Sequence, residues 1–265
     1  MAENCQNCNE IITGNFCANC GQKKYKRIDK KYVWDEIQYT FLHTNKGFLY
    51  SIKNIIKNPG KTARKFIDGN RVNHYKPILL TFVLSGIAAF LTYKVLGLRE
   101  VMSKYYENNQ MSSKFTNDLL SFLSSYTSIL MLLLVPFFAI ATKIAFKKYG
   151  HNYYEHVVMN SYFLSFYTLF SIVLIYPVYF IFKDSTPETS ILITQISVLF
   201  TPFLLVWFFK EFYRERPLKK IIRNVLISFA LVVLGYLLML VISFLIGLGI
   251  ALFKGSEALE YVTPK

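Results

Sequence analysis

Four cysteines stand within sixteen residues near the N-terminus, as Cys5-x2-Cys8 and Cys17-x2-Cys20. Two such knuckles let four thiolates converge tetrahedrally on one Zn2+ ion, each about 2.3 Å from the metal. The competing chemistries fit less well. A redox CxxC pair belongs beside a βαβ unit, which this segment lacks, and thiols in a cytosolic segment stay reduced rather than forming disulfides. Four protein ligands leave no open coordination position, so the expected zinc is structural and not catalytic. A knob this small needs its metal to fold, and the binding free energy is then its folding free energy. It would act as a stabilised N-terminal cap or as a docking module for a protein.

Two further groups could carry chemistry. His151 and Glu155 are four residues apart, hence on one helix face, with His156 adjacent. This H-x3-E-H spacing is one residue longer than the H-x-x-E-H of a protease site. A partial second metal site, completed by His74, is one reading; interfacial capping and pairing with Lys147 or Lys148 is the other. Arg64, Arg71 and Lys76 form a cationic group that fits a phosphate headgroup, since guanidinium forks grip phosphate bidentately. Positive-inside anchoring and contacts to helix C-termini explain the same residues without a ligand. No P-loop, dinucleotide fingerprint, nucleophile elbow or paired intramembrane carboxylate is present.

The elements that must position these groups are membrane helices. The chain has 265 residues, 53% hydrophobic and only 17% charged, against about 25% charged in soluble domains. The apolar residues gather after Pro77 in five blocks near the roughly 20 residues that cross a bilayer: 78–98, 119–141, 157–182, 191–209 and 225–253. The fold class expected is all-α, a polytopic transmembrane helix bundle of about five spans with a small N-terminal zinc ribbon. Residues 1–24 would be the ribbon, 25–77 a basic amphipathic juxtamembrane region, 78–253 the bundle and 254–265 a short tail. Pro136, Pro177 and Pro202 fall inside spans and predict kinks. The N-terminus opens with cysteines and polar residues, so the first span is expected to be its own insertion signal.

Charge sets the topology. With the N-terminus in the cytosol, the inside segments hold 23 Lys and Arg and the outside segments 6, which selects N-in, C-out. Ahead of the first span lie two amphipathic stretches, one with Val33, Trp34, Ile37 and Phe41 behind the N-cap Asp29. The other carries Phe48, Leu49, Ile52, Ile55 and Ile56, flanked by Lys53 and Lys57. The second reads equally as a helix in the headgroup plane or as one packed on the ends of the bundle. Asn58, Pro59 and Gly60 then cap and start another helix, and Gly69 provides its exit.

The pattern CxNC…GNFCANCGQK, followed by NPGKTARKFIDGNRVNHYKP entering a hydrophobic helix, resembles the bacterial membrane proteins grouped as domain of unknown function 3667. The stretch HNYYEHVVMNSYFLSFYTL resembles that family's third span. Asn9 stands where the family has a glycine, and Asn tolerates the same backbone region. The resemblance implies a bacterial inner-membrane protein and no activity; in layout alone the chain also resembles Yip1-type five-span proteins. The expected function is a non-enzymatic scaffold or adaptor, or a membrane-sensing protein, whose cytosolic zinc ribbon and basic segment recruit a protein partner or contact anionic headgroups of the bilayer. A transporter or channel for a lipid or small apolar molecule is the alternative, with a metal-dependent membrane enzyme next. Nearly no ionisable group lies inside the spans, which disfavours ion coupling, and nucleic acid ranks last as a partner.

Overall fold

The computed structural model describes residues 3–5, 8–21, 47–71, 74–182, 184–255 and 261–264. The amphipathic stretch of Asp29, Val33, Trp34, Ile37 and Phe41 lies outside them. The chain divides into two compact units, Met1–Phe48 and Leu49–Lys265.

In the first unit, β1 (Glu3–Asn4) pairs antiparallel with β2 (Ile11–Ile12), Glu3 opposite Ile12 and Asn4 opposite Ile11. Ile12 is buried and packs with Cys5 and Cys17, so this short ladder folds around the cysteines.

The second unit is helical. Helices α1 (Gly47–Lys57) and α2 (Pro59–Ile67) lead into α3 (Pro77–Phe90), which continues through a π-helical turn, Leu91–Val95. An extramembrane helix, α4 (Leu98–Asn108), precedes α5 (Lys114–Ala145). Then come α6 (Tyr153–Phe170), a second π-turn (Ser171–Ile175) and α7 (Tyr176–Ile181) as one rod. Helices α8 (Pro187–Leu199), α9 (Thr201–Phe212) and α10 (Leu218–Lys254) complete the unit. Five helical rods are long and apolar enough to cross a membrane: Pro77–Val95, Lys114–Ala145, Tyr153–Ile181, Pro187–Phe212 and Leu218–Gly249. The chain is a multi-pass membrane bundle of the class expected.

The third rod is the hub. It packs on α3, α5 and α2, and His156, Met159–Phe166, Thr168 and Leu169 are buried in it. Its polar side chains satisfy helix–helix contacts. The Thr81 hydroxyl lies 2.9 Å from the Ser161 carbonyl and 3.1 Å from the Ser165 hydroxyl, joining α3 to α6. Thr92 donates to the Tyr176 hydroxyl at 2.8 Å, and the Tyr179 hydroxyl donates to the Ser190 carbonyl at 2.7 Å. Small hydroxyl side chains are the usual glue where lipid gives no hydrophobic drive between helices.

The rod boundaries differ from hydropathy for local reasons. The third begins at Tyr153 because Asn152 and Glu155 form a capping box. That places Glu155 and His156 inside the helix instead of ahead of it. Pro177 follows the second π-turn and Pro202 opens α9, so both stand where a missing N–H costs least. Pro136 alone sits inside a continuous helix. Helix α4 escapes a hydropathy reading because it is polar and lies between spans. The last helix passes through Gly247 and Gly249 without ending.

Gly60 marks the tightest approach. A Cβ built there would lie 2.2 Å from the Phe208 carbonyl and 2.9 Å from the Phe212 amide. Gly60→Ala is therefore expected to lower the stability of the detergent-solubilised protein by roughly 3 kcal/mol, the upper end of overpacking effects. Gly247→Ala, with nothing within 4 Å, should leave it unchanged or slightly raised. Equal melting temperatures for Gly60→Ala and the parent protein would refute this seat.

Candidate metal centre and the basic collar

The two cysteine knuckles have one backbone geometry. The Asn9 amide donates to the Cys5 carbonyl at 2.9 Å, and the Gly21 amide to the Cys17 carbonyl at 3.0 Å. Each donor residue has a positive φ, 60° at Asn9 and 74° at Gly21. Glycine does this without penalty, and Asn is among the few side chains that tolerate it. The turns aim all four thiols inward, with the sulfurs within 4.8 Å of one another. Cys5 and Cys20 sulfurs are 3.5 Å apart, as are those of Cys8 and Cys17. A tetrahedral ion with 2.3 Å bonds needs sulfurs about 3.8 Å apart, so the cluster fits a metal ion. The Glu10 backbone amide lowers the Cys8 thiol pKa, but Cys20, Cys17, burial and Cys5 outweigh it and push it up to about 12. Crowded thiolates repel one another, and a bound dication reverses that balance.

In the second unit α1 and α2 form a basic collar. Asn58 caps α2, its side-chain oxygen accepting the Lys61 amide at 2.8 Å while its amide nitrogen donates to Glu211 at 2.6 Å. Glu211 also pairs with Arg214 at 2.5 Å. Pro59, Gly60, Thr62 and Ala63 are buried as α2 packs on α9 and α6. Helix α1 is tied to the loop before α3 by the Tyr75 amide, which donates to the Ser51 hydroxyl at 2.8 Å. Ser51 and Ile55 are buried, while Leu49 and Ile56 are exposed beside exposed Lys53 and Lys57. One face of α1 thus packs inward and the opposite face keeps an apolar stripe flanked by ammonium groups.

Two of the three cations of the expected phosphate site, Arg64 and Arg71, are engaged locally. Arg64 pairs with Asp68 at 2.8 Å and lies over the Phe212 ring. Arg71 lies over the Phe66 ring and donates to the Phe66 carbonyl at 3.3 Å. Lys76 is exposed at the N-cap of α3.

His151, Glu155 and His156 are likewise committed separately. The Glu155 carboxylate accepts the Asn152 amide at 2.7 Å. His151 meets the Tyr213 hydroxyl at 3.3 Å. His156 is fully buried, with Nδ1 3.1 Å from the Thr142 hydroxyl. Thr142 also lies 2.9 Å from the Phe138 carbonyl and accepts from the Asn160 side-chain amide at 2.8 Å, so it ties His156 to both. Among the described residues, the one group of three or more His, Cys, Asp or Glu side chains placed to hold a metal is the four cysteines.

Two features depend on partners distant in the sequence, and one of them gives His74 a place other than the expected second metal site. The Asn58–Glu211 bond spans 153 positions, and only the capping half of it has a local signal. His74 is buried, with its ring edge-to-face against Tyr50, Phe66 and Tyr162 at 5.1–6.4 Å between centroids. Neither ring nitrogen has a partner among the described residues. Burial, assisted by Lys65, holds its pKa below the ordinary value, and burial does the same for His151. The folded state therefore binds protons less readily than the unfolded one. Stability should be complete above about pH 6.5 and fall as the pH drops below it. A melting series from pH 8 to 5 checks this, and His74→Phe should flatten the slope; an unchanged slope would remove His74 from the account.

No curated protein and no solved structure matches the chain. The cysteine motif and the third rod lie outside the one matched segment. Residues 45–89, which take in α1, α2 and most of α3, match the family model described as Protein of unknown function (DUF3667), the family that the sequence motifs resemble.

Proposed function

We propose that this protein is a non-enzymatic membrane adaptor of the bacterial inner membrane, with a cytosolic N-terminus and an outer C-terminus. Its cysteine unit binds one structural Zn2+ and recruits a cytosolic protein, while the collar rests against anionic lipid. The observation that carries this reading is the four-sulfur cluster, in which every ligand comes from the protein and no position is left for substrate. Recruitment is then the chemistry left to it. The charge asymmetry of 23 inner against 6 outer cations supports the orientation. The exposed stripe of Leu49 and Ile56 beside Lys53 and Lys57 supports contact with headgroups, each cation adding about 1 kcal/mol near an anionic surface.

The alternatives have weaker support. A lipid path along the third rod would need hydroxyls facing a void, whereas the Ser165 hydroxyl meets Thr81 and the Ser161 hydroxyl donates to the Val157 carbonyl of its own helix. A metal enzyme built on His151, Glu155 and His156 would need Glu155 released from its cap.

The purified protein should carry one zinc per chain at pH 7.5. Replacing all four cysteines with serine should abolish it while membrane insertion persists. Acidification should release the metal, because thiolates must be reprotonated. Crosslinking in the native host should then capture a partner with the parent protein and not with the serine variant. Zinc retained by the variant, or identical crosslinked partners in both, would sink the proposal.

A further inference from the structure

At the end of the bundle away from the collar helices, the first π-turn opens a cavity. The carbonyl of Leu91 accepts from the Leu96 amide at 2.9 Å, five residues on, and this wider turn displaces the chain outward. Gly97 then turns it in the left-handed region, at φ 63°, to start α4. The cavity so formed has a volume of about 440 Å³ and is lined by Tyr93, Lys94, Val95, Leu96, Gly97, Glu100 and Asp184. It draws on two spans, since Asp184 follows the third rod. Their registry is fixed by the Thr92–Tyr176 hydrogen bond at 2.8 Å.

The cleft is open, and the charged residues that line it are mixed in sign: Lys94, Glu100 and Asp184, all three exposed. The ion pairs among the described residues are Arg64–Asp68 and Arg214–Glu211, so Lys94 pairs with neither Glu100 nor Asp184. Opposite charges facing one space without touching suit a molecule that carries both signs and bridges them. Val95 and Leu96 provide an apolar lip at the end of a membrane span.

We propose that this cavity binds a zwitterion with a phosphate and a primary ammonium, the chemistry of an ethanolamine phospholipid headgroup. Lys94 takes the phosphate, and Glu100 and Asp184 take the ammonium. A primary ammonium offers three N–H donors to two carboxylates. A trimethylammonium has none and needs an aromatic cage, and Tyr93 is the one ring in the lining. The site therefore discriminates ethanolamine from choline. This inference does not depend on the adaptor reading or on zinc.

The test uses the full chain in nanodiscs of equal phosphatidylethanolamine and phosphatidylcholine, with lipids retained after detergent extraction counted by native mass spectrometry. The parent protein should retain phosphatidylethanolamine preferentially. Glu100→Gln with Asp184→Asn should reduce that preference by about fivefold for each charge removed. Lys94→Gln should weaken retention of both lipids alike, because both carry the phosphate, and leave the ratio intact. Asp184→Asn alone, in a loop, serves if the double variant elutes as an aggregate. Free O-phosphoethanolamine that displaces the lipid identifies a soluble source for the ligand; failure to displace it, with the preference intact, identifies the lipid. Equal retention of the two lipids by the parent protein, or a preference untouched by the carboxylate variants, would overturn the proposal.

Discussion

In hydrocarbon, no water completes a hydrogen bond that the chain leaves open, and the rest of this structure follows from that constraint. It explains why the apolar blocks are helices and why the two prolines after breaks stand at helix starts. It also explains why the hydroxyls of Ser165, Tyr176 and Tyr179 meet polar groups of neighbouring helices. In the third rod, the one most surrounded by protein, the buried positions include His156, Asn160, Ser161, Ser165 and Thr168. Burial within the bundle and polarity are thus coupled, the reverse of their relation in a water-soluble core.

The collar obeys a second constraint, close approach. Helix α2 lies against the backbone of α9 because Gly60 presents no side chain there. Asn58 then serves two partners, its own helix and Glu211. A capping residue of this kind converts a local turn into a tertiary anchor. The collar is consequently part of the bundle's fold rather than an appendage to it, while α1 still offers an apolar, lysine-edged face outward.

Much of this was legible in the sequence because the signals were local or cumulative. Twenty apolar residues in a row need no tertiary context to be read, and neither does the CxxC spacing that brings Cys5, Cys8, Cys17 and Cys20 together. Asn9 could be accepted in place of glycine from backbone preference alone, and its positive φ agrees. What stayed hidden depends on distant partners. The capping box at Asn152 starts the helix after His151 and takes up Glu155, so the three do not share one helix face, although the His151 and His156 rings meet edge-to-face at 6.4 Å. The π-turns have no compositional signature, and α4 is too polar for a hydropathy scan. Arg64 and Arg71 read as a cluster, yet Asp68, Phe66 and Phe212 engage them individually.

The closing helix has a geometric consequence. Its 37 residues extend about 55 Å at 1.5 Å per residue, nearly twice the roughly 30 Å depth of a lipid hydrocarbon layer. Ile221, Asn224, Val225 and Ser228 clamp its beginning, whereas Val233–Leu248 is bare on every side. Part of the surplus is the basic start with Lys219, Lys220 and Arg223, and the rest falls at the unpacked end, where a longer helix is accommodated by leaning or by emerging from the lipid.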